Sequence, residues 1–337
     1  MIDTNKKLLR EFKGKKILIT GGSGSIGINI AKNLLKYSPK SIRILSNDEN
    51  SIVESRKILN NNSSCTFFVG DIRDKDRLNL ALRGVDIVFH AAAMKHVDVC
   101  EQNPFDAVKT NVVGTSNILE ASLLENVSKF ILISTDKATN PISTLGASKL
   151  LAERLTINAG TYRGTGKTIF AIVRFGNVVG SRGSVLQIFK EQLSLGKNLT
   201  VTDSRMTRFM MSIEDSVKMI LKVTVICKDG EIFILKMPSV RIETLAREML
   251  KFFIKKNKIK KKITINIGKS REGEKLHETL ISANELDFCH KVDEMYKISK
   301  IKTKKKIPIE EFNSETSNRI TKKNLLKLIE TYSKNNY

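Results

Sequence analysis

A glycine-rich turn follows directly on the first strongly apolar run of this chain. The run KILIT occupies residues 16 to 20 and is followed by GGSGSIG, in which Gly21, Gly24 and Gly27 are spaced as G-x-x-G-x-x-G. Glycines permit a tight turn, and they let backbone N–H groups and the N-terminus of a following helix approach a pyrophosphate without obstruction by Cβ atoms. A strand, a glycine turn and a helix in this order predict an α/β domain that binds a dinucleotide.

Short apolar runs alternate with helical patterns through the first half of the chain. The runs are continuously apolar, which is typical of strands buried on both faces of a parallel sheet. We therefore predict an α/β fold with a doubly wound parallel sheet of the Rossmann type. The runs are KILIT (16 to 20), SIRIL (41 to 45), CTFFV (65 to 69), DIVFH (86 to 90), KFILIS (129 to 134) and TIFAIVRF (168 to 175).

The regular alternation stops after residue 176. We predict a nucleotide-binding domain over residues 1–176 and a smaller C-terminal lobe, mainly for substrate binding, over residues 177–337. One later run, EIFILK at 231 to 236, is strand-like. We expect this segment to return to the main sheet.

The chain is strongly basic, with 58 Lys and Arg residues against 35 Asp and Glu and a net charge of +23. Its densest lysine runs, at 255 to 262 and 297 to 306, lack the interleaved aromatic residues of a nucleic-acid stacking surface. A lysine-rich solvated surface is the favoured interpretation, and nucleic acid is not a predicted partner.

Other sequence signals bear on location and metals. No apolar stretch reaches the length of a membrane span, and the N-terminus has no apolar signal segment, so we predict a cytoplasmic protein. The cysteines lie far apart and form no C-x-x-C pair, so neither disulfides nor a metal site is predicted. They are Cys65, Cys100, Cys227 and Cys289.

The end of the second apolar run bears on the choice of dinucleotide. A carboxylate there would bind the ribose hydroxyls of NAD and repel the extra phosphate of NADP, but the position holds Ser46. NADP is therefore the predicted cofactor, and NAD remains open. Asp48, two residues after Ser46, is explained equally well as a residue that contacts the ribose and as a turn or helix-cap residue. Asp71 and Ile72 are expected beside the adenine, and His90 is expected to be a packed strand residue.

A second segment, STDKATNPISTLGASKLLAER at residues 134 to 154, carries the predicted chemistry. Asp136 and Lys137 follow a strand, at the carboxyl edge where doubly wound folds place their sites, and they suit a general acid and a general base. A surface salt bridge is the alternative. Leu145 and Lys149 are four residues apart, so they share one face of a helix.

The chain resembles the extended short-chain dehydrogenases/reductases, and within them the UDP-N-acetylglucosamine 4,6-dehydratases of capsule and surface-glycan synthesis. The resemblance rests on ILITGGSGSIG, HAAAMKHVDVCEQNP, NVVGTSNILEAS, STDKATNPISTLGASKLLAE, VRFGNVVGSRGSVLQIF, TDSRMTRFMMSIEDSV, GEIFILKMPS and REGEKLHETLIS. The sequence departs from this pattern twice. Leu145 stands where tyrosine or methionine is usual, and Asn47 stands where many relatives have an arginine beside the NADP phosphate.

The resemblance implies a reaction. A hydride leaves carbon 4 of the sugar for the nicotinamide, water is eliminated across carbons 5 and 6, and the hydride returns to carbon 6. Lys137 is then the base and Asp136 the acid, Thr135 contacts the carbon 4 hydroxyl, and Lys149 orients the nicotinamide ribose. A lysine base needs a lowered pKa, which we expect Lys149 and the oxidised nicotinamide to cause.

The resemblance also implies binding residues and homo-oligomers, often hexamers. Arginines suit a diphosphate because the guanidinium forms paired charge-assisted hydrogen bonds. Asn111 is expected to hold either a structural water or its own helix. The predicted cofactor residues are Gly21, Ser23, Gly24, Ser25, Ile26, Gly27, Ser46, Asn47, Asp48, Asp71, Ile72, Ala91, Ala92, Ala93, Lys95, Asn111 and Lys149. The predicted contacts of the UDP-sugar substrate are Lys95, Leu145, Asn177, Arg182, Ser184, Thr202, Met206, Arg208, Arg271 and Glu274.

Two alternatives stay open at this point. A nucleotide-sugar epimerase would keep the fold and cofactor, although epimerisation at carbon 4 requires no elimination acid and base. A catalytically silent cofactor-binding module would use the basic surface to bind a partner. Leu145 favours the silent module, while Asp136, Lys137 and Lys149 argue against it.

Overall fold

The computed structural model of the protein describes residues 2–257, 263–303 and 310–335. Sixteen strands and twelve α-helices are present in these ranges. The strands are β1 Lys16–Thr20, β2 Ser41–Ser46, β3 Cys65–Val69, β4 Ile87–His90, β5 Lys129–Thr135, β6 Ile169–Phe175, β7 Asn177–Val178, β8 Leu199–Val201, β9 Thr207–Met211, β10 Glu231–Leu235, β11 Ser239–Arg241, β12 Ile265–Ile267, β13 Thr279–Ile281, β14 Cys289–Val292, β15 Met295–Ile298 and β16 Phe312–Asn313.

Helices connect the strands of the main sheet and cover its faces. A π-helical turn at Lys109–Val113 lies between two of them, and a 3-10 turn at Asp136–Ala138 follows β5. The α-helices are α1 Ile2–Phe12, α2 Ser25–Leu34, α3 Glu49–Ile58, α4 Lys75–Leu82, α5 Val97–Gln102, α6 Pro104–Val108, α7 Gly114–Leu124, α8 Thr144–Ala159, α9 Val185–Ser194, α10 Ile213–Ile226, α11 Ile242–Asn257 and α12 Lys322–Asn335.

The main sheet has nine strands in the order β14-β15-β10-β6-β5-β4-β1-β2-β3. The strands from β10 to β3 run parallel, and β15 and β14 are added antiparallel at one edge. The strand order reverses at β1, which lies between β2 and β4. Such a reversal opens a crevice at the carboxyl ends of the strands. The predicted doubly wound fold is confirmed.

The six predicted strands of the first half and the later run at 231 to 236 all lie in this sheet, as β1 to β6 and β10. The expectation of burial on both faces is wrong for β3, because it is an edge strand and its residues are half-buried or exposed. The antiparallel pair β14 and β15 was not predicted. The main sheet is therefore drawn from both sides of the predicted boundary at residue 176.

A second apolar core lies outside the main sheet, in the C-terminal part of the chain. It is built on α9, α11 and α12, and the small sheets β11-β9-β7 and β12-β8 border it. We call it the C-terminal core; its buried members include Leu186, Phe189, Met210, Val240, Leu245, Met249 and Ile329. The segment that joins β12 to β13 brings Glu278 to within 3.1 Å of Lys137.

Two expectations from composition concern the lysine-rich runs and membrane-spanning segments. The lysine-rich runs lie partly outside them, at residues 258–262 and 304–306. Within 2–257, 263–303 and 310–335, no helix combines the length and apolarity needed to cross a membrane.

Candidate active site

A cleft of about 810 Å³ opens at the carboxyl ends of the parallel strands. The glycine turn after β1 forms one end, and the segment after β5 lies toward the other. Every predicted cofactor residue except Asn111 lines it. The predicted substrate residues that line it are Lys95, Leu145, Asn177, Arg182 and Ser184.

The glycine turn fits a bound pyrophosphate. Gly21 has a φ of +61°, and a Cβ there would lie 2.7 Å from the backbone N of Ala92. A Cβ on Gly27 would lie 2.5 Å from the carbonyl oxygen of Gly21. Helix α2 begins at Ser25 with Gly24 as its cap, which supplies no side-chain acceptor to the first amide groups. These amides face an anion site that the adjoining glycines leave open.

The end of β2 presents hydroxyl groups. The hydroxyl of Ser23 donates to that of Ser46 over 2.7 Å, and both side chains are buried. Asp48 caps α3, because its carboxylate accepts from the backbone N–H of Ser51 at 3.1 Å. The hydrogen bonds from Ser51 lower the pKa of Asp48. The cap interpretation of Asp48 therefore describes its contacts in this structure.

Arg182 lies at the glycine-turn end of the cleft. Its guanidinium donates to the hydroxyl of Ser51 over 3.0 Å and to the carbonyl oxygen of Ser23 over 2.5 Å. The backbone N–H of Arg182 donates to the hydroxyl of Ser25, and the ammonium of Lys95 donates to the Arg182 carbonyl oxygen. Burial lowers the pKa of Lys95, and the nearby Arg182 adds to this effect. The loop thus joins the C-terminal part of the chain to the glycine turn.

Asp136 and Lys137 form a charged cluster with Glu278 at the end of β5. The Lys137 ammonium lies 3.1 Å from Asp136 Oδ1 and 3.1 Å from Glu278 Oε1. Thr135 donates to Asp136 Oδ1 over 2.9 Å. Asp136 and Glu278 are buried, whereas Lys137 keeps 22% of its side chain exposed and lines the cleft. Lys137 is thus the member of this cluster that reaches the ligand space.

The pKa values of the cluster depend on burial and on neighbouring charges. Burial raises the pKa of Asp136, and Glu278 adds to the rise. For Lys137, burial disfavours the ammonium, but the carboxylates of Asp136 and Glu278 outweigh it and raise the pKa. The expectation of a lowered pKa for Lys137 is wrong, because its nearest charges are carboxylates.

The pKa of Glu278 is shifted in the opposite direction. Burial favours its neutral form, but the cations of Lys137, Arg208 and Lys275 outweigh burial and lower its pKa. Asp136 Oδ2 and Glu278 Oε2 are both buried without a hydrogen-bond partner in the described ranges. Asp136 Oδ2 lies beside Gly176, where a Cβ would approach it to 3.0 Å. The glycine after β6 therefore makes room for the carboxyl group of Asp136.

Lys149 lies in the cleft and, unlike Lys137, has a lowered pKa. Its ammonium donates to the carbonyl oxygen of Ile133 over 2.9 Å, and the side chain lines the cleft. Burial lowers its pKa to about 8, although Glu153 opposes the shift. Leu145, one turn earlier in α8, also lines the cleft and packs against Cys100 and Ala107.

Two residues near the cleft have structural contacts. Asn111 accepts from the Met94 backbone N–H at 2.8 Å and donates to the Met94 carbonyl oxygen and the Ser148 hydroxyl. It therefore ties the loop after β4 to α8 and does not line the cleft. His90 lies between hydroxyls of Thr20 and Thr115, and burial lowers its pKa to about 3.

Five predicted substrate residues do not line the cleft. Met206 is buried in the C-terminal core, and its sulfur accepts from the Thr202 hydroxyl. Arg208 donates to the carbonyl oxygens of Thr207, Leu276 and Lys275. The remaining two are Arg271 and Glu274; Glu274 lies 3.6 Å from Arg208.

Asn177 and Ser184 differ from those five because they line the cleft. Asn177 Oδ1 and Ser184 Oγ are buried without a hydrogen-bond partner within the described part of the chain. Buried polar atoms normally have partners, so these two are suited to contact a polar ligand.

The sequence model of the polysaccharide biosynthesis protein family matches residues 17–300. The chain belongs to this family. A UDP-N-acetylglucosamine 4,6-dehydratase (inverting) of Campylobacter jejuni is 46% identical over 290 residues, which cover 86% of this chain and 84% of the relative. An uncharacterized membrane protein of Methanocaldococcus jannaschii is 52% identical, over 85% of this chain and 86% of its own. A UDP-glucose 4-epimerase of Rickettsia prowazekii is 42% identical, over 85% and 83%.

Solved structures of other proteins share this fold. The structure of Pen from Bacillus thuringiensis matches with a TM-score of 0.91 and 38% identity, over 96% of this chain and 98% of that one. A UDP-glucuronic acid 4-epimerase from Bacillus cereus, in complex with UDP-glucuronic acid and NAD, matches at 25% identity with a TM-score of 0.67, over 77% and 88%. Relatives of this chain are thus nucleotide-sugar dehydratases and epimerases, and the second structure holds a nicotinamide cofactor.

Sequence reasoning missed Glu278 and Lys275 as members of the charged cluster. Both lie in REGEKLHETLIS, one of the segments on which the resemblance rests. The Lys275 ammonium donates to the carbonyl oxygen of Thr139 over 2.6 Å and lies 4.0 Å from Glu278 Oε2. The signal available in the sequence was an acid and a lysine three residues apart, a pattern too common to assign by itself.

Proposed function

We propose that this protein is a dehydratase that removes water from a UDP-N-acetylhexosamine, with UDP-N-acetylglucosamine as the first candidate. The observation that carries the proposal is the pairing of Asp136 with Lys137 at 3.1 Å beside a cleft that fits a dinucleotide. Elimination requires an acid and a base, and these residue types supply both. The Campylobacter jejuni relative, with its dehydratase name, supports this choice.

The cofactor in this proposal is NADP, with NAD as the alternative. The glycine turn would hold the pyrophosphate, the end of β2 the adenosine ribose, and Lys149 the nicotinamide ribose. No carboxylate is available at Ser46, and that of Asp48 is engaged in the cap of α3. A bound nicotinamide supplies reversible acceptance of a hydride.

Lys149 is the best candidate to take the proton from the carbon 4 hydroxyl. Leucine at position 145 cannot exchange a proton, and the hydroxyl of Thr135 already donates a hydrogen bond to Asp136. A pKa of about 8 for Lys149 leaves a fraction of neutral amine at physiological pH. Leu145 supplies an apolar wall to the cleft in the place of the phenol.

Lys137 and Asp136 would then act on carbons 5 and 6. Proton transfer within the 3.1 Å pair produces a neutral amine and a carboxylic acid without exchange with solvent, and burial favours the neutral pair. The Lys137 amine takes the proton from carbon 5, and its ammonium later returns a proton to that carbon. Asp136 does not line the cleft, so its proton would reach the departing hydroxyl through the hydroxyl of Thr135, which lines the cleft and is hydrogen-bonded to Asp136 at 2.9 Å. Glu278 opposes formation of the amine because its charge stabilises the ammonium.

Polar side chains that line the cleft would contact the nucleotide sugar. Asn177 and Ser184 are the first candidates, because their buried side-chain oxygens have no hydrogen-bond partner among the described residues. The contacts predicted for Thr202, Met206, Arg208, Arg271 and Glu274 remain predictions. A cytoplasmic location, a homo-oligomer such as a hexamer and a role in surface polysaccharide synthesis also remain predictions.

Incubation with UDP-N-acetylglucosamine in deuterated water, followed by NMR, tests the proposal. We expect a 4-keto-6-deoxy product with deuterium at carbon 5, and the configuration at that carbon separates retention from inversion. An unchanged sugar under conditions in which the cofactor is bound would contradict the proposal. It would favour the silent module, which predicts binding without turnover.

An epimerase is the second candidate, because the Rickettsia prowazekii relative is named a UDP-glucose 4-epimerase. Epimerisation at carbon 4 returns the hydride to the carbon that it left. The same NMR experiment would then show a carbon 4 epimer that retains the hydroxyl at carbon 6 and hydrogen at carbon 5. The charged cluster favours the dehydratase, since epimerisation does not use an elimination acid.

A further inference from the structure

The end of β2 lacks a cation of its own. Its last residue and the two that follow are Ser46, Asn47 and Asp48, and none of them is basic. The Asn47 side chain is turned toward Asp71, with its amide nitrogen 3.4 Å from Asp71 Oδ2. In doubly wound folds the adenosine ribose lies at this strand end, and an arginine nearby accommodates the 2′-phosphate of NADP.

Arg182 brings a guanidinium to this place from the C-terminal part of the chain. It spans from the Ser23 carbonyl oxygen on the glycine turn to the Ser51 hydroxyl in the first turn of α3. It also lies close enough to Asp48 to lower the pKa of that carboxyl group. The guanidinium therefore lies between the glycine turn and the start of the helix that follows β2.

The surroundings of Arg182 complete an anion site. The hydroxyls of Ser23 and Ser46 bond to each other at 2.7 Å, and each can turn to donate to a phosphate oxygen. The neighbouring carboxylate of Asp48 is held by Ser51 in the cap of α3. The Arg182 backbone is also fixed, since its N–H donates to Ser25 at 3.1 Å and Lys95 donates to its carbonyl oxygen.

We propose that Arg182 recognises the 2′-phosphate of NADP at the end of β2 and thereby sets the preference for NADP over NAD. This role differs from the predicted contact with UDP, because the guanidinium lies on the glycine turn and away from Asp136 and Lys137. The proposal rests on the nicotinamide cofactor of the proposed function but not on the sugar reaction. A planar guanidinium suits this task because it can form two parallel hydrogen bonds to a phosphate.

The test uses adenine nucleotides, which contain neither nicotinamide nor sugar substrate. Cofactor-free protein is titrated calorimetrically with 2′,5′-ADP and with 5′-AMP, which differ only in the 2′-phosphate. In Arg182→Ala we expect 2′,5′-ADP to bind roughly tenfold to a hundredfold more weakly, as for loss of a charge-assisted hydrogen bond, with 5′-AMP changed less than about threefold. Arg182→Lys should bind 2′,5′-ADP with an affinity between those of the unmodified protein and Arg182→Ala, because lysine keeps the charge but lacks the planar guanidinium.

Arg73→Ala is the matched control. Arg73 also lines the cleft, but its fork is already held by Asp71 at 2.7 Å. We expect this variant to affect the two nucleotides alike. Thermal unfolding without ligand checks that each variant is folded.

Three outcomes would overturn the proposal. Equal weakening of both nucleotides in Arg182→Ala would assign Arg182 to the 5′-phosphate or to the shape of the turn. Selective loss of UDP binding, measured in a separate titration with UDP, would support the UDP contact instead. Absence of any preference for 2′,5′-ADP in the unmodified protein would also contradict it. Failure of the protein to dehydrate a UDP-sugar leaves these binding ratios unchanged, so the two proposals fail separately.

Discussion

The two ends of the cleft are built on different principles. The glycine-turn end is built mainly on backbone amides and small residues of one continuous segment, Gly21 to Gly27, to which Arg182 is added from a distant part of the chain. The charged end uses buried ionisable groups from distant parts of the chain, with Asp136 and Lys137 after β5 and Glu278 before β13. The comparison teaches that a binding surface can be local in sequence, whereas a reactive cluster needs the whole fold to pair its charges.

The segments that pack next to the charged end are also joined by buried charges from distant parts of the chain. Arg174 in β6 is fully buried and forms paired hydrogen bonds with Glu153 of α8 and Glu285 near the start of β14. It also donates to the carbonyl oxygen of Leu280 at 2.9 Å. One buried cation thus fixes the segment that carries Glu278 against the strands that carry Asp136 and Lys137.

The largest expected effect is on stability at the charged end. Arg174→Ala leaves Glu153 and Glu285 without their cation, which should lower the free energy of unfolding by about 3–5 kcal/mol. Arg205→Ala is the control, because Arg205 is 73% exposed and its pair with Asp203 should contribute less than about 1 kcal/mol. Denaturant unfolding of both variants measures the difference. Equal losses would show that burial of the charges is unimportant here.

The next effect separates chemistry from binding. Lys137→Ala or Asp136→Asn should reduce turnover by at least about a hundredfold, the scale for loss of an acid or base. Leu145→Met should be mild, because it exchanges side chains of similar volume in an apolar cluster. Initial rates of product formation by NMR provide the measurement. A Lys137→Ala enzyme that binds substrate and keeps most of its activity would refute the assigned roles.

At the glycine-turn end, a substitution should act by weakening the binding of the cofactor. Gly21→Ala places a Cβ 2.7 Å from the Ala92 backbone at positive φ, and we expect cofactor binding to weaken by about tenfold or more. Gly14→Ala is matched, since Gly14 also has positive φ, at +73°, but a Cβ there meets nothing within 4 Å. Titration with cofactor compares the two. Similar binding by both variants would mean that close approach at Gly21 is not required.

The smallest effect concerns pH. Glu278 raises the pKa of Asp136 and of Lys137, so Glu278→Gln lowers both. The range in which the pair holds a single proton then moves to lower pH, by about one unit for a charge at this distance. Glu274→Gln is the control, because Glu274 contacts Arg208 instead. The pH dependence of turnover measures the shift, and movement to higher pH would contradict the assignment.

Much of the fold was predictable because the signals are local. Six apolar runs became β1 to β6 with boundaries within about one residue, since buried parallel strands need continuous apolar side chains. The hairpin of β14 and β15 was missed. Its strands CHKV and MYKI have four residues each with polar side chains in the middle, so they lack that continuous pattern.

The sequence by itself determined the doubly wound sheet, the glycine turn and the adjacent Asp136 and Lys137, because strand periodicity, turn geometry and neighbouring positions depend on contiguous residues. Only the tertiary structure decided that Glu278 joins that pair, that Lys149 and not Lys137 has the lowered pKa, and that Arg182 reaches the glycine turn. The physical reason is that pKa values and ion pairs depend on burial and on charges within a few ångströms. Those distances are set by how remote segments pack, and a linear pattern does not contain them.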